Sequence, residues 1–234
     1  MHAMTIPAAE SERGALQAVL FDMDGLLVDS EPLWFEVEQA VMARLGGSWT
    51  ADDQRALVGG SLQRSVGYLL SRASKPASFE QVARWLIDGM ADLLALRPAE
   101  LMPGAAELVT AVRKAGLRCA LVTSSEREIM DVVLASLAAH DLAFDVTVCG
   151  GDVRNSKPDP EPYQLACALL GADPARSLAL EDSPNGVTAA EAAGCITIAV
   201  PGVAPIAPAP GRIIVASLTE LDVDALSALA ARRA

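Results

Sequence analysis

The first apolar run of the chain, Ala18-Val19-Leu20-Phe21, stops abruptly at Asp22, which predicts a short buried strand running into a polar loop. Apolar positions then recur at helical spacing, at Leu33, Val37, Val41 and Leu45, until Gly46-Gly47 ends the run. Two more helices are predicted over residues 62–73 and from Ser78 to about Leu96, ahead of Pro98. Nothing between Glu31 and Glu100 alternates as a strand does. After Pro103-Gly104 the pattern changes. Helices are predicted over residues 105–115, 125–139, 161–170 and 184–193, and from Leu218 onward. Strands are predicted over 117–122, 146–149, 178–180, 196–200 and 213–215. Ser125 followed by Glu128 fits a capping box at the start of one of these helices.

Strand and helix in alternation predict a parallel sheet covered on both faces. The expected fold is therefore α/β, a doubly wound, Rossmann-like core interrupted after its first strand by an all-helical insertion. Residues 1–30 and 101–234 form the expected core and residues 31–100 the expected cap. The two crossings, at residues 29–31 and 101–104, make a natural hinge. The segment 204–210, with prolines at 205, 208 and 210, reads as a stiff connection.

Composition narrows the functions this fold could serve. Of 234 residues, 52% are hydrophobic but only 4% aromatic, so the interior must be mostly aliphatic. A formal charge of −12 repels nucleic-acid phosphates and anionic membranes, so neither is an expected partner. Cys119, Cys149, Cys167 and Cys195 match no zinc or redox spacing and read as buried reduced thiols. No apolar run approaches the ~20 residues of a membrane span. Residues 1–14 lack the features of a signal peptide and read as a loose tail. A cytoplasmic monomer acting on a small metabolite is expected.

In a doubly wound sheet, ligands bind beyond the carboxyl ends of the strands. Asp22 and Asp24 follow the first strand. Thr123, Ser124 and Ser125 follow the second predicted core strand, Lys157 lies in the loop after the third, and Glu181 and Asp182 end the fourth. Four carboxylates converging there would repel one another by about 4 kcal/mol per pair at ~4 Å in an effective dielectric near 20. A hard divalent cation relieves this, and sparse oxygen ligation suits Mg²⁺. The set then fits phosphoryl transfer. Asp22 is the expected nucleophile, attacking phosphorus to form an aspartyl phosphate. Asp24, on the same side of an extended strand end, protonates the leaving oxygen and later deprotonates water. Lys157, the Thr123 hydroxyl and the Ser124 N–H hold the phosphoryl oxygens, and Ser125 both caps its helix and lines the site. Asp152 and Asp159 read as loop caps, and Arg64 and Arg127 as candidate substrate contacts.

The segment Phe21-Asp22-Met23-Asp24-Gly25 through Glu31 closely resembles the first motif of the haloacid dehalogenase superfamily. Thr123 with Ser124-Ser125 is similar to its second motif, Lys157-Pro158 to its third, and Glu181-Asp182-Ser183-Pro184-Asn185-Gly186 to its fourth. The resemblance spans nearly the whole chain. It implies Mg²⁺ held by Asp22, the backbone carbonyl of Asp24 and Asp182, with Glu181 ligating or supporting. The helical insertion resembles the cap of the beta-phosphoglucomutase-like subgroup, which implies closure over the site. That subgroup contains mutases and phosphatases. The mutases carry a histidine soon after the first motif and an arginine in a cap loop. This chain has Asp29-Ser30-Glu31-Pro32-Leu33-Trp34 at the first place, without histidine, and Arg64 is displaced from the second. The expected activity is thus a Mg²⁺-dependent sugar-phosphate phosphatase of the 2-deoxyglucose-6-phosphate type, with a hexose-phosphate mutase as the alternative. Glu31 and Trp34 are candidates to face the substrate, with Trp34 expected mainly to pack.

Overall fold

The computed structural model describes residues 16–231. The N-terminal tail expected over residues 1–14 lies outside them. Six strands form one parallel sheet: β1 (Ala18–Phe21), β4 (Arg118–Val122), β5 (Val146–Val148), β6 (Ser177–Glu181), β7 (Ile196–Ala199) and β8 (Ile213–Ile214). Their order is β5-β4-β1-β6-β7-β8. The chain winds outward from β1 in one direction and then from β6 in the other. The reversal lies beside β1, so a crevice opens beyond the end of that strand.

The period-2 alternation of the strands divides the interior into two layers. Val19, Phe21, Cys119, Leu121, Leu178 and Leu180 face one side. There they meet α5 (Ala105–Lys114), α6 (Arg127–Ala138) and α9 (Val223–Ala231). The other side presents Ala18, Ala120 and Ala179 to α7 (Glu161–Leu170) and α8 (Pro184–Ala192). These small residues let α7 approach closely, and Tyr163 on its first turn is wholly buried. All four cysteines are buried, and none is in a disulfide.

Between β1 and α5 the chain forms four helices: α1 (Glu31–Arg44), α2 (Ala51–Arg55), α3 (Leu62–Ser71) and α4 (Phe79–Leu96). Ser61 and Ser78 cap α3 and α4 by accepting the Arg64 and Gln81 backbone N–H groups. The pattern of apolar positions gave no sign of α2. Only five residues long, it is held by a capping box between Thr50 and Asp53, with one buried residue of its own. The two crossings also pair, as β2 (Val28–Asp29) and β3 (Glu100–Leu101), in an antiparallel ribbon too short to show as alternation. The final helix begins later than expected, because Leu218–Glu220 forms a separate 3₁₀ turn. Among the described residues no helix is long and apolar enough to cross a membrane.

Candidate active site

Asp22 emerges from β1, its N–H bonded to the Leu180 carbonyl of the neighbouring strand at 3.1 Å. The chain then turns tightly, with Gly25 N–H on Val28 O at 2.9 Å. Gly25 has φ +80°, and a Cβ there would stand 2.2 Å from Asp182 Oδ2, so only glycine lets the first loop pass the end of β6.

Lys157 ties three strand ends together. Its Nζ donates to Asp22 Oδ1 at 2.6 Å, Glu181 Oε1 at 2.6 Å and the Val122 carbonyl at 2.8 Å. Those bonds use all three donors of the ammonium group. The Tyr163 hydroxyl donates to the same Glu181 oxygen at 2.5 Å, and the lysine nitrogen lies 5.1 Å from the centre of its ring. Ser183 Oγ donates to Glu181 Oε2 at 3.3 Å. Every oxygen of Glu181 is therefore engaged. Asp182 differs: among the described residues no hydrogen bond reaches its carboxylate.

Ligand atoms of Asp22, Glu181 and Asp182 lie within 4.8 Å of one another, all three residues buried. Burial opposes the charge of Lys157, but Asp22 and Glu181 outweigh it and hold its pKa above the ordinary lysine range. Burial, reinforced by Glu181 and Asp24 against the pull of Lys157, pushes Asp22 up to about 8. Burial and the charges of Asp22 and Glu181 push Asp182 well above the carboxylate range. Three buried carboxylates thus face one ammonium. A compact divalent cation with oxygen preference fits that donor set. The carboxylate of Asp24 is not part of the cluster; the ligand expected from this residue was its backbone carbonyl.

The side chain of Asp24 is instead fixed from both sides of the crevice. Oδ1 accepts Ser30 Oγ at 2.6 Å and Trp34 Nε1 at 3.3 Å. Oδ2 accepts Ser125 Oγ at 2.7 Å and Thr123 Oγ1 at 3.2 Å. The expectation that Ser125 caps a helix fails. The helix starts at Arg127 with Glu126 as its N-cap and no side-chain cap bond. Extended backbone at Glu126 carries the first helical N–H groups out of reach of Ser125, whose hydroxyl turns to Asp24. Glu128, expected to complete the box, pairs with Arg84 at 3.0 Å. Ser124 lines the cavity, with its hydroxyl bonded to Ser156 at 3.1 Å.

The four helices between β2 and β3 supply the roof. Gly59 meets the core so closely that a Cβ would stand 2.4 Å from Ser183 Cβ, and Asn185 Nδ2 donates to its carbonyl at 3.0 Å. The enclosed cavity has about 780 Å³ of empty space, counted to its open mouth. Asp22, Asp24, Thr123, Ser124, Ser125, Lys157 and Asp182 line its floor, and Glu31, Trp34, Glu38, Gln54 and Leu57 are among the roof residues. Two expected contacts do not reach it. Arg64 is held by the Ala56 carbonyl at 2.7 Å, and Arg127 pairs with Asp152. Asp152 and Asp159 cap loops as expected, accepting the Cys149 and Glu161 N–H groups.

Sequence reasoning missed Ser30, Tyr163, Glu38 and Gln54. Tyr163 shares a helix face with Ala166, Cys167 and Leu170 and reads as core. Glu38 and Gln54 lie on helices whose relative orientation no local pattern fixes.

A family model described as haloacid dehalogenase-like hydrolase matches residues 19–200. Hexitol phosphatase B of Escherichia coli K12 is 36% identical over 212 residues, covering 87% of this chain and 93% of its own. A phosphorylated carbohydrates phosphatase of Thermotoga maritima is 35% identical, over 76% of this chain and 82% of its own. Among solved structures, a variant of CbbY from Rhodobacter sphaeroides in complex with xylulose-1,5-bisphosphate superposes with a TM-score of 0.80 at 28% identity. The match covers 88% of this chain and 96% of that one.

Proposed function

This chain belongs to the haloacid dehalogenase-like hydrolase family, and on that premise we propose that it is a Mg²⁺-dependent phosphatase of small sugar phosphates working through an aspartyl phosphate on Asp22. The observation that carries the proposal is the contact of Lys157 Nζ with both Asp22 and Glu181 at 2.6 Å, beside the carboxylate trio. The names of the relatives, phosphatases of hexitol and carbohydrate phosphates, support the substrate class.

Asp22, the Asp24 carbonyl and Asp182 would hold the ion, with Glu181 supporting as the anchor of Lys157. When bound, Mg²⁺ offsets the repulsion between an anionic nucleophile and a phosphate dianion. Lys157 occupies one oxygen of Asp22 and orients the other toward phosphorus. The Ser124 N–H and the Thr123 hydroxyl, once it turns from Asp24, hold the phosphoryl oxygens as charge develops, and the Lys157 ammonium, its donors kept on Asp22, Glu181 and Val122, offsets that charge through space. Asp22 attacks phosphorus, and the P–O bond to the sugar breaks as Asp24 gives that oxygen a proton. Asp24 then takes a proton from water as it attacks the acyl phosphate at phosphorus. Inorganic phosphate leaves and Asp22 is restored. Ser30, Trp34, Thr123 and Ser125 keep the Asp24 carboxyl aimed, and the two serine hydroxyls can rotate to serve either of its protonation states. Residues 31–100 serve as the cap that excludes bulk water.

The test is inorganic phosphate release across a panel of sugar monophosphates, with Mg²⁺ and after chelation. Release that EDTA stops and Mg²⁺ restores, and that Asp22→Asn lowers by roughly 10³-fold or more, is the expected result. Undiminished turnover by that variant, or sugar isomerisation without net phosphate release, would overturn it.

A further inference from the structure

The floor of the cavity explains how a phosphate would be held; the roof says what the rest of the molecule can be. Among the described residues lining the cavity, Lys157 is the one cation, and Asp22, Glu181 and Val122 already use its three donors. The arginines on α3, α4 and α6 are engaged elsewhere. Arg64 binds the Ala56 carbonyl, Arg84 pairs with Asp88 and Glu128, and Arg127 pairs with Asp152. Arg55 and Arg72, on the helices that carry the roof loop, pair with Asp52 and Asp53.

What faces inward from the roof is acidic. Glu38 is 5% exposed. Its Oε2 accepts the Trp49 indole N–H at 3.1 Å, and no donor among the described residues reaches Oε1. Glu31, two turns earlier on α1, is held by Gln54, whose amide donates to the Glu31 carbonyl at 2.7 Å and to Oε2 at 3.1 Å. Glu31 Oε1 is likewise open to the cavity. No fully buried side-chain oxygen or nitrogen among the described residues lacks a partner, so these two oxygens stay accessible to solvent, and a ligand that displaces it must supply a donor in its place. Hydroxyl groups do so cheaply. Burial raises Glu31 to about 7 and Glu38 to about 8, so their repulsion of a second anion is fullest above pH 8, and at any pH such an anion finds no cation to pair with and loses its hydration for nothing.

Resting on the phosphatase reading above, we infer that this roof selects monoesters whose organic part is an uncharged polyhydroxylated chain or ring and rejects esters bearing a second anionic group, with Glu38 as a specificity-determining residue that accepts a substrate hydroxyl. The selection is negative as much as positive. It uses the emptiness of the roof in positive charge to separate substrates that the phosphate grip alone treats alike.

A matched pair tests this. Glucitol 6-phosphate and 6-phosphogluconate share a carbon skeleton and differ at the far end, where one has a hydroxymethyl group and the other a carboxylate. With the full chain and Mg²⁺ at pH 9, above the values of about 7 and about 8 to which burial raises Glu31 and Glu38, kcat/KM for the neutral ester is expected to exceed that for the acid by roughly 100- to 1,000-fold, the size two like charges produce at about 4–6 Å at an effective dielectric near 20. Glu38→Gln is expected to narrow that ratio by about tenfold, because it removes one charge while keeping an acceptor for Trp49. A structural role alone would lower both substrates together and leave the ratio unchanged. Binding of the same two compounds to the Asp22→Asn variant, followed by calorimetry, gives the preference without turnover. Equal use and equal binding of the pair, or a ratio unmoved by Glu38→Gln, would overturn the inference while phosphate release upheld the phosphatase reading. A preference in binding with no phosphate release from any ester would sink that reading and leave the selection standing.

Discussion

The floor and the roof of the cavity are both built around carboxylates, yet they are assembled on opposite terms. On the floor, every acid but Asp182 is matched by donors drawn from distant parts of the chain, and Lys157 spans 135 residues to reach Asp22. On the roof, Glu31 and Glu38 each keep an oxygen without a partner among the described residues. Apart from Asp182, the floor is matched within the protein; the roof leaves acceptors open to the cavity. Preorganisation suits a group that must stabilise one transition state, and unfinished polarity suits a surface that must choose among ligands.

Removing the central cation should damage the floor most. Lys157→Met leaves Asp22 and Glu181 buried and unbalanced, and the expected cost is about 3–5 kcal/mol of folding stability together with loss of phosphate release. Denaturant titration checks it, and a variant as stable as the parent would mean that the floor is not charge-balanced as described. Glu38→Gln probes the roof by pH. Burial pushes Glu38 from 4.5 up to about 8, opposed by the Trp49 bond and reinforced by Glu31. The folded state therefore holds a proton that the unfolded state releases near pH 4.5. Stability from this group is full below that pH and is lost as pH rises through about 8. The glutamine variant should match the parent near pH 5 and exceed it above pH 8, by on the order of 2–4 kcal/mol. Melting curves at both pH values decide the sign.

A smaller effect is expected where floor and roof touch. Asn185→Ala removes the donor to the Gly59 carbonyl and should cost about 0.5–1.5 kcal/mol of closure, seen as a several-fold rise in KM with kcat less affected. Tyr163→Phe should be milder still in stability, at about 1 kcal/mol, because Glu181 keeps its bond to Lys157. If its kcat falls more than tenfold, the tyrosine does more than steady Glu181.

The same contrast explains what the sequence revealed. Asp22, Thr123 and Glu181 sit at or beside the ends of apolar runs, and strand register carries such ends to one edge, so the floor could be read from position alone. Lys157 was placed by its neighbours in a loop rather than by periodicity. The roof depends on how α1, α2 and the loop at Gly59 pack, which is a matter of helix orientation that no local pattern encodes. Ser125 marks the boundary between the two. Its spacing to Glu128 fits a cap, but one further extended residue, Glu126, displaced the helix start and released its hydroxyl to Asp24.

The contact between Asn185 and Gly59 has a consequence for how such an enzyme changes over generations. On the cap side it is made by a main-chain carbonyl, so changes to neighbouring side chains leave it in place, whereas any side chain at Gly59 itself would collide with Ser183. Heritable variation can therefore rewrite the other ceiling residues one at a time without disturbing this contact. New diets for the enzyme need no new door.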